Sequence, residues 1–394
     1  LGEDEVGIFF RRGFESRRKA AAGRAPRRPE VDDDIGVIGN RRLKIVGIEG
    51  EDGHDGSERG QAAYAIALPS VLVTEGTLPS MNFSASPYRG RFAPSPTGPL
   101  HFGSLVAATA SLLEARARGG GWLLRIDDLD APRCSPAAAD DILRTLEAFG
   151  FIWDGAVTWQ SRCGESYRAA FEQLRAAGRL FPCACTRKEL ADSMLTPDGA
   201  ARYPGTCRAG LPVGRTARGW RLRVDDGVRI AFDDALQGHI VSDLAREAGD
   251  FIVWRADGLF AYQLAVVVDD AAAGVTHVVR GADLLTSTPR HIFLQQCLGL
   301  PTPSYAHLPV AVDAAGEKLS KQTLAAPLDS TQPVPALHAA LRFLGQAPPD
   351  ELARADVATL WAWAQAHWRW QQVPRVRQQT IFPTTVTTED VTCR

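Results

Sequence analysis

Lys318-Leu319-Ser320-Lys321-Gln322 places two ammonium groups within four residues, in a chain where only five of the 44 Lys and Arg residues are Lys. In a sequence so biased toward Arg, a Lys pair points to a need for compact ammonium donors. The preceding Asp313-Ala314-Ala315-Gly316-Glu317 reads as a loop. A loop with two cations can close over a triphosphate and stabilise the charge that develops as pyrophosphate leaves. Alone, such a pair is ordinary solvated surface. More than 200 residues earlier, His101-Phe102-Gly103-Ser104 follows the turn Pro94-Ser95-Pro96-Thr97-Gly98-Pro99. Backbone N–H groups at the start of a helix make a site for phosphate, and Gly98 and Gly103 let backbone and ligand approach closely. A Pro/Gly-rich strand-to-helix turn is also a common structural device. A third cluster is Cys183-Ala184-Cys185 with Cys207 22 residues further on. Three thiolates and a fourth ligand would make a tetrahedral structural metal site. Three unrelated reduced thiols is the alternative.

These groups need elements to hold them, and the pattern around them is α/β. An extended run at 89–93 enters the Pro/Gly turn, and a helical stretch over about 104–117 leaves it, with Leu105, Ala108, Leu112 and Ala115 on one face. A second strand, Trp122-Leu123-Leu124-Arg125-Ile126, precedes a helix over about 137–149 whose Ile142, Leu143, Leu146 and Phe149 have helical spacing. Strands alternating with helices of this length imply parallel βαβ units. The middle, about 183–250, is less regular and holds the cysteine cluster. A second patterned region runs from Asp250 through Val267-Val268 to Val278-Val279, followed by a helix over about 289–298. The two patterned regions are expected to complete one sheet. Beyond Thr323 the chain reads as helices rich in Ala, Leu and Trp, and 382–394 as a loose tail.

Residues 1–80 differ from the rest: charge clusters such as Arg17-Arg18-Lys19 and Asp32-Asp33-Asp34, many Gly and only short apolar runs read as a weakly ordered extension. Met81 directly precedes the first organised segment. Two readings stand side by side: Met81 is the initiator and 1–80 are not translated, or the extension is genuine. The formal net charge of -2 decides little, because a nucleic-acid-binding enzyme can be near neutral if its Arg residues share one face. No apolar stretch approaches the about 20 residues that cross a bilayer, and the first residues do not resemble a secretory signal, so a cytoplasmic protein without membrane contact is expected. Seven cysteines, an odd number spread through an enzyme-sized chain, fit reduced thiols or a metal site rather than a disulfide framework. Cys134, Cys163, Cys297 and Cys393 have no partner at metal spacing.

Taken in order, Arg91-Phe92-Ala93-Pro94-Ser95-Pro96-Thr97-Gly98, His101-Phe102-Gly103-Ser104, Arg125-Ile126-Asp127-Asp128-Leu129-Asp130 and Lys318-Leu319-Ser320-Lys321 resemble the bacterial glutamyl-tRNA synthetase family over about 88–326. The His-x-Gly and Lys-Leu-Ser-Lys segments resemble the first and second signatures of class I synthetases. The chain is closer still to the truncated paralogues of that family, the glutamyl-queuosine tRNA(Asp) synthetases, which have Ser in the first signature, as at Ser104. Only 72 residues follow Gln322, too few for the usual helical anticodon-binding part.

The resemblance implies a Rossmann-like class I synthetase catalytic domain with a zinc-bearing insertion and a short helical C-terminal part, without an anticodon-binding domain. The expected division is 1–80 extension, 81–182 first catalytic half, 183–250 insertion, 251–326 second catalytic half with the lysine loop, and 327–394 helical appendage and tail. Catalysis would fall to His101, Lys318 and Lys321, and ATP with Mg2+ to Pro94, Gly98, His101, Gly103, Ser104, Lys318, Ser320 and Lys321. Glutamate would be held by Arg91, Ser95, Asp127, Tyr262 and Arg280, with Asp127 suited to its ammonium and the guanidinium groups to its carboxylates. Asp127 stands where the family commonly has Glu, a methylene longer. One zinc per chain would sit on Cys183, Cys185, Cys207 and, as fourth ligand, Tyr203. His307 either lines the nucleotide pocket or is packed at a strand end. The implied reaction is tRNA-independent activation of L-glutamate to glutamyl-adenylate and its transfer to queuosine in the anticodon loop of tRNA(Asp), by a monomer. An ordinary glutamyl-tRNA synthetase charging a tRNA 3′ end and a non-catalytic glutamate- or tRNA-binding paralogue are the alternatives.

Overall fold

The structure is a computed structural model that describes residues 87–186, 188–190, 202–313 and 326–381, all within one compact unit. The extension at 1–80, Met81, the lysine loop and the tail at 382–394 lie outside the described residues.

The chain opens with β1 (Arg89–Phe92), α1 (Phe102–Ala117), β2 (Gly121–Ile126), α2 (Pro136–Ala148), the two-residue β3 (Thr158–Trp159) and α3 (Gly164–Ala176). β2 lies between β1 and β3 and is parallel to both, with Arg91 opposite Leu123 and Arg125 opposite Thr158. These are the βαβ units that the alternating pattern predicts. Helix starts follow local chemistry. Ser135 Oγ accepts the N–H of Ala138 at 3.0 Å and Pro136 takes the first turn of α2, where a missing N–H costs nothing.

β4 (Leu180–Cys183), β5 (Gly219–Leu222) and β8 (Phe251–Trp254) form an antiparallel sheet in the order β4-β5-β8. The hairpin of β6 (Arg229–Asp234) and β7 (Gly238–Asp243) goes elsewhere: β6 pairs with β10 (Ser304–Leu308), which is parallel to β9 (His277–Gly281). The segment expected as an insertion thus feeds two sheets. The short α4 (Leu244–Glu247) links hairpin to β8, α5 (Tyr262–Ala272) leads into β9, and α6 (Thr288–Leu298) bridges β9 and β10. The two patterned regions, expected from sequence to complete one sheet, do not share one continuous ladder among the described residues. They abut at β1 and β9, where Thr276 N–H donates to Arg89 O at 3.0 Å, and the named sheets end there. The physical reason is local: Thr276 Oγ1 accepts Arg89 N–H at 2.8 Å, so a side chain takes the place of a ladder carbonyl.

The C-terminal part is built into the core. α7 (Pro333–Phe343) and α8 (Val357–His367) pack on α1, and Leu337, Leu341, Leu360 and Trp361 share one cluster with Leu105, Trp122, Ile126 and Phe149. α1 is therefore covered by strands on one side and helices on the other, which explains why ten of its sixteen residues are buried. Trp361 Nε1 donates to Phe149 O at 2.8 Å and Trp368 Nε1 to Glu114 at 2.9 Å, so both indoles bury their rings without stranding a donor. β11 (Val310–Val312) pairs in parallel with β12 (Gln378–Thr380), closing the C-terminal part onto the segment that precedes the lysine loop. Among the described residues no helix is long and apolar enough to cross a membrane.

Candidate active site

The end of β1, the turn after it, the N-terminus of α1, the end of β2, the start of α5 and the end of β9 surround a cleft of about 560 Å³. Arg91, Ser95, Asp127, Tyr262 and Arg280, expected at glutamate, all line it. So do Pro94, His101, Gly103 and Ser104, expected at ATP. Gly98 stands beside the lining Thr97 with φ 151, a backbone state that side chains disfavour. Lys318, Ser320 and Lys321 lie outside the described residues, but their flanks reach the cleft: Val310 and Ala311 line it, and Leu328 N–H donates to O of the lining Leu100.

His101 is the N-cap of α1. Its Nδ1 accepts the N–H of Ser104 at 3.4 Å, which leaves Nε2 as the protonated nitrogen of a neutral ring. The first N–H groups of a sixteen-residue helix therefore open on the cleft with the positive end of its dipole.

The opposite wall carries a buried set of charges, of which Arg91, Arg125 and Asp127 line the cleft and Asp270 does not. Arg91 Nε and one terminal nitrogen grip Asp270 at 3.2–3.3 Å. Arg125 Nε donates to Asp127 at 2.7 Å and its Nη1 to Asp270 at 2.6 Å. Asp269, the preceding residue of α5, accepts from Gln160 at 2.8 Å and from the Tyr167 hydroxyl at 2.9 Å. Burial pushes the Asp127 carboxyl up to about 6; Arg125 opposes this, while like charge from Asp269 and Asp270 adds to it. Burial would also raise Asp270, but Arg91 and Arg125 together outweigh it and hold that carboxyl well below the usual range. Sequence reading missed Arg125 and Asp270; the one signal available was Arg125 beside Asp127 in the same motif.

Arg280 is held differently. Its Nε donates to His307 Nε2 at 3.1 Å, and its Nη2 to Thr288 Oγ1 at 2.8 Å and Leu284 O at 3.3 Å. His307 Nδ1 meets Asp234 Oδ2 at 2.5 Å, which fixes Nδ1 as the protonated nitrogen and Nε2 as acceptor. His307 is fully buried and is not part of the cleft lining, so it is the packed histidine of the two readings, and it orients Arg280. Burial pushes its imidazole below the ordinary value, which keeps the ring neutral beside the guanidinium. With five N–H groups per guanidinium, Arg280 keeps one N–H of Nη1 uncommitted after His291 takes the other at 3.4 Å. Arg91 spends only its side edge, and its end edge, with two parallel N–H groups, is left for a carboxylate.

The cysteine cluster lies at the end of β4. The three Sγ atoms of Cys183, Cys185 and Cys207 are within 4.8 Å of one another. Cys185 and Cys207 Sγ are 3.7 Å apart, and the Tyr203 hydroxyl is 3.7 and 3.8 Å from Cys183 and Cys185 Sγ. Zn–S bonds of about 2.3 Å put two thiolates of a tetrahedron about 3.8 Å apart, a spacing that the separations of 3.7–3.8 Å match, so the cluster could hold a metal ion. Arg221 of β5 donates to Cys183 Sγ at 3.3 Å and lies 3.8 Å over the Tyr203 ring. A nearby guanidinium suits a site whose ligands are anionic. Cys134, Cys163 and Cys297 are free and outside the cluster.

A second cleft of about 940 Å³ shares Tyr262 with the first. Lys188, Arg218, Arg221, Arg255 and Arg290 line it against two carboxylates, Asp250 and Asp257, giving a cationic surface that sequence order did not reveal.

The profile of the family described as tRNA synthetases class I (E and Q), catalytic domain, matches residues 88–333. A glutamyl-Q tRNA(Asp) synthetase of Aromatoleum aromaticum is 64% identical over 295 residues, covering 75% of this chain and 93% of that protein. The protein of the same name from Dechloromonas aromatica is 62% identical over 292 residues, 74% of this chain and 97% of that one. The crystal structure of glutamate-tRNA synthetase from Elizabethkingia anophelis superimposes with a TM-score of 0.63 over 75% of this chain and 68% of that one, at 23% identity, a likeness of fold. With the mixed α/β fold, the residues of the first signature lining the cleft and relatives this close, the chain belongs to the class I tRNA synthetases of the E and Q type, among the glutamyl-Q tRNA(Asp) synthetases.

Proposed function

We infer that the cleft activates L-glutamate with ATP and that the protein then esterifies queuosine in the anticodon loop of tRNA(Asp). The observation that carries this reading is the lining of a single cleft by an ammonium partner, Asp127, a carboxylate partner, Arg91, and the N-terminus of α1. A glutamate carboxylate oxygen attacks the α-phosphorus of ATP, the bond to the bridging oxygen breaks, and pyrophosphate leaves. A hydroxyl of the acceptor then attacks the acyl carbon and AMP departs. The protein supplies positioning and charge stabilisation rather than a covalent intermediate. Asp127 receives the ammonium, the end edge of Arg91 a carboxylate, and the remaining N–H of Arg280 a single bond. His101 and the α1 N-terminus face the phosphates, and Lys318 and Lys321 offset charge on the departing pyrophosphate. Mg2+ accompanies ATP.

The cationic second cleft, open to the first at Tyr262, suits an RNA loop whose bases are splayed out, since phosphate attraction and base access are both served there. Zinc, one per chain on Cys183, Cys185, Cys207 and Tyr203, would hold the segment that forms one wall of that cleft through Cys185. A soluble cytoplasmic monomer is the setting that this reading assigns.

Pyrophosphate exchange into ATP, run with and without tRNA, tests activation. Lys321→Ala should slow it by about 2–4 kcal/mol of transition-state stabilisation with little change in glutamate affinity; an unchanged rate removes Lys321 from the mechanism. Transfer of labelled glutamate to queuosine-containing tRNA(Asp), to the same tRNA without queuosine and to tRNA(Glu) tests the acceptor. Transfer to tRNA(Glu) alone refutes the queuosine assignment and leaves activation standing.

A further inference from the structure

Arg91 and Asp127 come from the adjacent parallel strands β1 and β2, one on the strand and one just beyond its end. Opposite charges so placed would pair directly and neutralise each other before any ligand arrived. Among the described residues no ion pair joins them. Arg91 turns its side edge to Asp270, Asp127 bonds Arg125, and Arg125 and Asp270 bond each other at 2.6 Å, which closes a chain of four charges across β1, β2 and α5. All four side chains are buried, with exposures between 4% and 7%. Nη2 of Arg125 is buried with no bonded partner among the described residues, so this guanidinium is not simply maximising its own bonds.

We propose that Arg125 and Asp270 are positioning residues that hold Asp127 and Arg91 apart, at a fixed spacing and with their cleft-facing edges free, for the ammonium and a carboxylate of the amino-acid substrate. This rests on the glutamate reading of the same cleft. A ligand with an ammonium and a carboxylate then replaces nothing: it meets two groups already turned toward it, and the ordering cost falls on the fold rather than on binding. The spacing is set by the rigid fork of Arg125, itself part of the cleft lining, which explains how a carboxylate as short as Asp127 is kept from drifting toward Arg91. The shared carboxylate of Asp270 makes the two ends dependent on each other. A change at either inner residue should therefore weaken the amino acid and spare the nucleotide.

The experiment is pyrophosphate exchange by the full chain, with glutamate and ATP titrated separately. Asp270→Asn keeps the shape and one acceptor but removes the charge, and it should raise KM for glutamate by about tenfold or more while KM for ATP and kcat stay within about threefold. Arg125→Lys, which keeps the charge but loses the fork, should do the same, and Asp270→Glu should recover part of the loss. Asp269→Asn is the comparison, because that carboxylate is equally buried but held by hydrogen bonds from Gln160 and Tyr167 and only approached by Arg125 Nε at 3.8 Å; it should raise KM for glutamate less than Asp270→Asn does. Glutamate KM within twofold of the unaltered protein in both Asp270→Asn and Arg125→Lys overturns the proposal, and so does a parallel rise for glutamate and ATP. If neither variant folds by circular dichroism, the pair is a structural element and the proposal falls as well. Absence of glutamate-dependent exchange in the unaltered protein defeats the parent reading instead.

Discussion

The charged wall of the first cleft and the thiol cluster at the end of β4 are both polar sets removed from water, yet they are satisfied in opposite ways. In the first, Asp127, Arg125, Asp270 and Arg91 find full charges of opposite sign at 2.6–3.3 Å within the chain. In the second, the Tyr203 hydroxyl accepts Cys207 N–H at 2.6 Å and Cys207 Sγ accepts Ala184 N–H at 3.4 Å, while the thiols and the phenol meet each other only at 3.7–3.8 Å, weak contacts for groups removed from water. The guanidinium of Arg221 reaches Cys183 alone among the thiols. The charged wall pairs its charges within the chain, whereas the thiol cluster is a donor set that a metal ion would complete. Their locations match that difference: the wall joins β1, β2 and α5, which other packing holds together, while the cluster ties the loop around 203–207 to one strand end.

Metal removal should therefore separate the two regions most sharply. Elemental analysis should find about one zinc per chain, and a strong chelator should expose three additional thiols to a thiol reagent and lower thermal stability, since such an ion supplies folding energy directly. Glutamate-dependent exchange should largely survive, because none of the cleft wall is held by the cluster, and transfer to RNA should fall further because Cys185 lines the second cleft. Protein purified without chelator that contains no metal would sink the zinc reading.

The second contrast is in what truncation does. Arg125→Ala strands Asp127 and leaves Asp270 with Arg91 alone, and removing one partner of a buried ion pair costs about 3–5 kcal/mol. Chemical denaturation should show that loss whether or not metal is present. Cys207→Ser in metal-free protein should cost far less, because a thiol whose neighbours are other thiols leaves no charge behind. Equal losses would mean that the thiol cluster is as self-sufficient as the charged wall.

The sequence carried much of this, unevenly. α1, α2 and α6 lie where apolar spacing and the residues Ser135 and Pro136 put them, because those signals are local. Among the described residues the motif residues Arg91, His101 and Asp127 also converge, since each sits at the end of a strand or the start of a helix. Pairings between distant side chains left no trace: Asp270 lies 145 residues from Arg125, and Asp234 lies 73 residues from His307. β12 has the composition Gln-Gln-Thr, without the alternation that marks a half-buried strand, and is recruited only by β11. Trp361 and Trp368 join the core around α1, which the helical reading of the appendage did not reveal, because apolar spacing does not say which core a helix joins.

The smallest expected effect concerns pH, and it tests whether the charged wall is complete or only poised. Asp127 has a carboxyl raised to about 6, against about 3.9 for an ordinary Asp, so between those values the folded protein holds a proton that the unfolded chain has released. A raised folded pKa contributes stability that is fully present below about pH 4 and is lost as pH rises through 6, in all about 3 kcal/mol. Asp270 does not titrate in this window, because its carboxyl is held well below the ordinary range by Arg91 and Arg125. Stability of the ligand-free protein should therefore fall from pH 4 to 6.5 by more than in Asp127→Asn, which has no proton to lose there. Glutamate should reverse the sign. Its ammonium favours the ionised carboxylate, so its affinity should rise up to about tenfold per pH unit across the same interval, with a proton released on binding that calorimetry in buffers of different ionisation enthalpy would detect. The thiol cluster offers no such behaviour toward glutamate. If Asp127→Asn shows the same stability slope as the unaltered protein, the excess negative charge of the wall resides elsewhere, and Asp269, whose carboxyl burial also raises, becomes its site.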